Sequence, residues 1–72
     1  MKFLTAREFA AEANYSTSTV VRICNAKPGF GFRIGAGKWN IPEQHLRLVL
    51  AGTPVEVIAQ QARERAAERR SA

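Results

Sequence analysis

Two helix starts stand close together near the beginning of this chain, and their spacing restricts what the rest can fold into. Thr5-Ala6-Arg7-Glu8 has the capping-box pattern, in which the Thr hydroxyl and the Glu carboxylate reciprocally satisfy backbone donors at a helix start. Ser16 is a good N-cap for a second helix, predicted to run to about Asn25. Phe9, Ala10 and Ala13 fall at helical spacing after the first cap, with Phe3 or Leu4 placed as a hydrophobic staple. The inward face of the first helix therefore reads Leu4, Phe9, Ala10 and Ala13, with Arg7, Glu8 and Glu12 left for water. Asn tolerates the left-handed conformation that closes a helix, so Asn14-Tyr15 is predicted to end it. Two helices joined this tightly must pack at a steep angle.

Such packing needs a small residue inside the first helix, a left-handed turn residue four later and an aliphatic six beyond that. Ala10, Asn14 and Val20 meet those demands, and Ile23 adds the next inward position. This is the spacing of a helix-turn-helix, whose second helix enters the DNA major groove. Cys24, among Val20, Val21 and Ile23, reads as a buried small apolar residue. Residues 14 to 40 carry Arg22, Lys27, Arg33 and Lys38 and not one carboxylate, so four of the five excess charges lie in that stretch. A positive surface on ordered structure suits a nucleic-acid backbone.

Lys27-Pro28-Gly29 is predicted to end the second helix, because Pro cannot continue it. Phe30, Phe32 and Ile34 alternate with Gly31 and Arg33; after Gly35-Ala36-Gly37, Trp39 and Ile41 alternate with Lys38 and Asn40. Period two predicts a β-hairpin with the aromatics and Ile on the core face and Arg33, Lys38 and Asn40 on the other. Beside a helix-turn-helix such a hairpin is a wing, in which Lys38 can reach a phosphate or the narrow groove. Pro42 suits the first position of a third helix, where Leu46, Val49 and Leu50 are spaced to cover the hairpin, His45 reads as a surface residue, and Gly52 ends the segment. Leu48 falls off that stripe. Thr53-Pro54-Val55-Glu56 is another helix start, for a segment expected to reach about Arg70. Its stripe of Val55, Ile58, Ala59, Ala62 and Ala66 fades to alanine, and Arg63, Arg65, Arg69 and Arg70 leave a cationic tip.

Seventy-two residues allow one small core. With 46% hydrophobic residues and six aromatics the chain is apolar enough to fold, yet too polar throughout for a membrane span or the apolar core of a signal peptide. A soluble, cytoplasmic protein with no membrane partner is expected. Cys24 with His45 cannot supply the four ligands of a structural zinc site, and no nucleophile and base pair, metal set or phosphate loop is legible. No catalytic residue, metal or cofactor is therefore expected, and the chain does not read as an enzyme.

The order of these motifs resembles a known family. LTAREFAAEANYSTSTVVRIC followed by FRIGAGKWNIPEQHLRLVL is similar to the excisionase-type winged helix-turn-helix domains, related to the DNA-binding domain of the mercury-resistance regulator superfamily. The likeness covers about residues 3 to 51. Its most specific part is the FRIG-x-G-K-W-x-IP run leading into an amphipathic helix. The resemblance implies a winged helix-turn-helix, a mainly α fold with a β-hairpin; with the helix start at Thr53, the chain divides into residues 1–52 as the winged domain and 53–72, outside the likeness, as a helical extension. It implies an accessory protein that binds and bends double-stranded DNA cooperatively beside a tyrosine recombinase, as a recombination directionality factor that drives excision of a mobile element. Carried onto matching positions, the recognition helix presents Thr17, Ser18, Thr19, Arg22 and Asn25. Lys27, Arg33, Lys38 and Asn40 serve as wing and flank contacts. Arg22 is the side chain there able to read a guanine with two hydrogen bonds. Self-association along DNA is expected to use Leu48, Val55, Ile58 and Ala62. The alternatives are a small transcriptional regulator of the same fold, an antitoxin-like or recombinase-binding protein adaptor, and a basic RNA-binding protein.

Overall fold

The computed structural model describes residues 2–33, 35 and 37–71, with backbone only for residues 69–71. The expected core position of Ile34 and the side chains of Arg69 and Arg70 lie outside the described residues. The chain is mainly helical, with one two-stranded antiparallel sheet among the described residues. In order, β1 (Phe3–Thr5) runs into α1 (Ala6–Ala13), then α2 (Thr17–Ala26), β2 (Asn40–Pro42), α3 (Glu43–Leu50) and α4 (Val55–Ser71).

Local chemistry sets both early helix starts. The Thr5 hydroxyl accepts from the Glu8 backbone N–H at 3.1 Å, and the Glu8 carboxylate accepts from the Thr5 N–H at 2.9 Å. These bonds, first that from the Thr5 backbone, hold the Glu8 carboxyl below its ordinary pKa. Asn14 closes α1 in the left-handed conformation (φ 61°), and Tyr15 N–H donates to the Ala10 carbonyl at 2.9 Å. The Ser16 hydroxyl caps α2 by accepting from Thr19 N–H at 3.2 Å. The pairing of α1 and α2 across this turn buries Phe9, Ala10, Val20 and Cys24. Burial pushes the Cys24 thiol up to about 11.

The predicted hairpin is corrected. Strand β2 pairs along its length with β1, in the register Phe3↔Pro42, Leu4↔Ile41, Thr5↔Asn40. Among the described residues of this run, 30–33, there is a single bridge, in which Phe32 and Asn40 exchange N–H to carbonyl bonds of 2.9 and 2.7 Å. Phe32 is consequently not on the core face: it is 48% exposed and meets Phe3, itself 42% exposed, edge to face at 5.2 Å. The cause is the tight path of the chain beside it. Phe30 is fully buried, edge to face with Phe9 at 5.5 Å, and a Cβ on Gly31 would lie 3.0 Å from both Cys24 Sγ and Ile41 Cγ1.

Helix α3 brings a second correction. His45 is 2% exposed, and its Nδ1 bonds the Phe30 carbonyl at 2.6 Å. A carbonyl only accepts, so Nδ1 carries the proton. Burial first, and Arg65 as a lesser cause, hold the imidazole below its ordinary pKa against the opposing effect of that bond. Leu46 is buried, Val49 and Leu48 pack against the core, and Leu50, expected inward, is 62% exposed because it follows the last inward turn.

Helix α4 belongs to the same core. Ile58 and Ala59 are fully buried, and Val55 packs against them. The helix rests on the turn after α2: a Cβ on Gly29 (φ 97°) would stand 2.7 Å from the Ala59 carbonyl oxygen, and the Arg63 guanidinium donates to the Pro28 carbonyl. Ile58, expected on a self-association surface, is thus inside the chain's own core, beside the equally buried Ala59. Ala62 is half-buried, and residues 63–68 are exposed. No helix among the described residues is long and apolar enough to cross a membrane.

Candidate nucleic-acid interface

The first turn of α2 and the loop leading to β2 meet in one place. Thr5, Ala6 and Arg7 at the start of α1, Thr17 and Val21 on α2, and Gly37, Lys38 and Trp39 of the loop line a cleft of about 380 Å³. The packing of α1 on α2 brings residues from both helix starts to it. The Phe32–Asn40 bridge closes the intervening loop and holds Lys38 and Trp39 over them.

The expected recognition residues divide. Thr17, Ser18 and Arg22 are exposed. Thr19 is half-buried, its hydroxyl 2.7 Å from the Ser16 hydroxyl within the cap. Asn25 is exposed and donates to the Val21 carbonyl of its own helix at 3.0 Å. Lys27 is half-buried at the far end of α2, about 15 Å along the axis from Thr17 at 1.5 Å per residue. It does not line the cleft.

In the loop, Lys38 and Arg33 are both exposed, and the Arg33 guanidinium lies 4.8 Å from the centre of the Trp39 ring. A contact of this kind at an exposed site is worth about 0.5–1 kcal/mol and steadies the loop. Asn40 is half-buried and donates its side-chain amide to the Lys38 carbonyl at 3.2 Å, so it shapes the loop from within. Trp39 Nε1 is buried and has no hydrogen-bond partner among the described residues.

Charge is distributed unevenly. Among the described residues the ion pairs are Lys2 with Glu43 at 3.7 Å and Arg47 with Glu43 at 2.9 Å. Arg7, Arg22, Lys27, Arg33 and Lys38 have no carboxylate partner in that set. Their charges are uncompensated and, Lys27 apart, exposed, the condition in which a polyanion is attracted. Sequence reasoning assigned Arg7 to solvent; the only signal that sets it apart is a cation in the first turn of a helix with no acidic partner. Among the described residues no three His, Cys, Asp or Glu side chains converge as a metal site requires.

Of the residues expected to self-associate, Leu48 and Val55 are turned against the core and Ala62 lines a separate groove with Phe3, Phe32 and Arg65. Among the described residues, the large apolar side chains left exposed on α3 and α4 are Leu50 and Val57. Compared with protein-family models, with curated proteins and with solved structures, the chain matches none.

Proposed function

We propose that this chain is a winged helix-turn-helix DNA-binding protein, with α2 as the helix that enters the major groove and the loop between Phe32 and Asn40 as its wing. The observation that carries this reading is the shared cleft: Thr17 on α2 and Lys38 on the loop line it together, and Lys38 has no carboxylate partner among the described residues. Arg22, exposed and five residues beyond Thr17 on α2, is the side chain proposed for base readout, a contact worth about 1–3 kcal/mol of discrimination. Asn25 and Thr19 then act through helix and cap geometry more than through base contacts.

On the resemblance of its motifs, the role is that of a recombination directionality factor assisting a tyrosine recombinase, with a transcriptional regulator of the same fold as the nearest alternative. About four cations neutralising phosphates give a slope of log affinity against log salt near −3.6 for duplex DNA. So few contacts bind weakly at cellular salt, and selectivity then requires neighbouring copies on the DNA. With Ile58 internal, Leu50 and Val57 are exposed large apolar side chains on α3 and α4 that such contacts can use.

The test is a gel-shift titration on the attachment region of the element that carries the gene, with wild type and the Arg22→Ala, Lys38→Ala double variant. Wild type should give a ladder of cooperative complexes that the double variant loses while keeping its melting temperature. Equal affinity in the two proteins would remove both residues from the interface.

A further inference from the structure

Arg7 is poorly placed for stability and well placed for an anion. It is the second residue of α1, at the end where the helix dipole is positive, so its charge opposes the dipole. The nearest acidic side chain in sequence, Glu8, is already committed to the Thr5 cap, and no carboxylate among the described residues pairs with Arg7. Yet its side chain borders the cleft that Lys38 borders from a loop far along the chain. Two cations from separate elements, with the hydroxyl-bearing Thr17, surround a space whose remaining walls include the apolar Val21 and the Trp39 ring.

We propose that this cleft seats one phosphodiester of the DNA backbone, the phosphate oxygens held by Arg7, Lys38 and the Thr17 hydroxyl and the adjoining deoxyribose resting on Val21 and Trp39. The proposal rests on the DNA-binding reading and adds to it a contact from α1, outside both the recognition helix and the wing. A guanidinium suits the role because its fork of donors matches phosphate oxygens in pairs. Cleft walls that are part charged and part apolar match a phosphate bonded to a sugar better than a free ion. By fixing the backbone at the N-terminal ends of α1 and α2, the seat sets how deeply α2 enters the groove, since phosphate contacts establish register and base contacts read sequence.

The experiment measures duplex affinity across a salt series for wild type, Arg7→Ala, Arg7→Lys and Arg47→Ala, with the fluorescence of Trp39, the chain's single tryptophan, as the reporter of cleft occupancy. Losing one phosphate contact lowers the magnitude of the slope by about 0.9, which is about an eightfold loss of affinity at 0.1 M salt. Arg7→Ala should show that loss with an unchanged or higher melting temperature. Arg7→Lys should keep most of the slope, and Arg47→Ala, whose charge is paired with Glu43 and lies outside the cleft, should keep all of it. If wild type binds with a steep salt dependence and Arg7→Ala matches it, the phosphate seat is wrong while the DNA-binding reading stands. An equal loss in Arg47→Ala would reduce the effect to net charge and overturn the seat. Absence of any salt-dependent duplex binding by wild type would overturn the DNA-binding reading itself. In a parallel arm inorganic phosphate is added alone; a Trp39 response that saturates with phosphate and is not displaced by duplex would mark a free-anion site and also overturn the proposal.

Discussion

Replacing Gly29 by alanine is expected to loosen α4 from the rest of the molecule, and Gly35→Ala provides the internal reference. Both glycines have positive φ, 97° and 60°, so each alanine carries a backbone cost of about 1–2 kcal/mol. Their surroundings differ. A Cβ at Gly35 meets nothing within 4 Å, whereas at Gly29 it would stand 2.7 Å from the Ala59 carbonyl oxygen and 2.9 Å from Arg63 Cγ. The Arg63 stem can move, but the Ala59 oxygen is helix backbone, so α4 itself must shift. Overpacking of this kind costs about 1–3 kcal/mol more. Gly29→Ala should therefore lose about 2–5 kcal/mol, against a total near 4–11 kcal/mol for a domain of this length at ~0.05–0.15 kcal/mol per residue. Urea unfolding followed by circular dichroism measures both variants. At about 4–8 °C per kcal/mol for a small domain, the melting temperature should fall by roughly 10–40 °C in Gly29→Ala and by about 4–16 °C in Gly35→Ala. Equal losses in the two variants would refute the argument that α4 is held by close contact with the turn after α2.

The remaining expectations concern titration. His45 is buried with its pKa held below the ordinary value, while the unfolded chain protonates near pH 6.5. The unfolded state then binds more protons as pH falls below about 6.5, so stability is full above that pH and declines beneath it. Urea midpoints at pH 8 and pH 5.5 should show the decline in wild type and not in His45→Leu, whatever the variant's baseline; the same decline in both would acquit His45. Glu8, whose pKa is lowered by its capping bonds, acts in a separate window, its contribution being lost only as pH falls below about 4.5. The Cys24 thiol, raised to about 11 by burial, should resist a thiol-specific disulfide reagent at pH 8 until denaturant is added, because the thiolate is the reacting species. Labelling of the native protein at the rate of a free thiol would contradict its burial.

What was legible in advance and what was not follows the reach of each interaction. Thr5 with Glu8, Ser16 with Thr19, and Asn14 at its left-handed turn are satisfied within a few residues. Their sequence alone therefore determined where α1 and α2 begin, how tightly they join, and that Phe9, Ala10, Val20 and Cys24 face inward. The absence of acidic residues between 14 and 40 likewise needs no fold to be read. Period-two alternation misplaced Phe32 because an alternating run says which residues share a face only if the run is a regular strand, and the partner of β2 turned out to be β1, at the other end of the domain. His45 looked like a surface residue because the bond that makes its burial tolerable comes from Phe30, on a different element. Ile58 looked available for another molecule because nothing in its helix records that this face of α4 is buried in the chain's own core. Arg7 is the same lesson applied to function: its own neighbours point it at water, and only the crossing of α1 and α2, with the loop folded over them, brings it to the cleft that Thr17 and Lys38 share. Short-range hydrogen bonds and turn geometry are properties of a few consecutive residues; strand pairing, burial of a polar ring and convergence of distant charges depend on which surfaces meet, and that is decided by the packing of the whole chain.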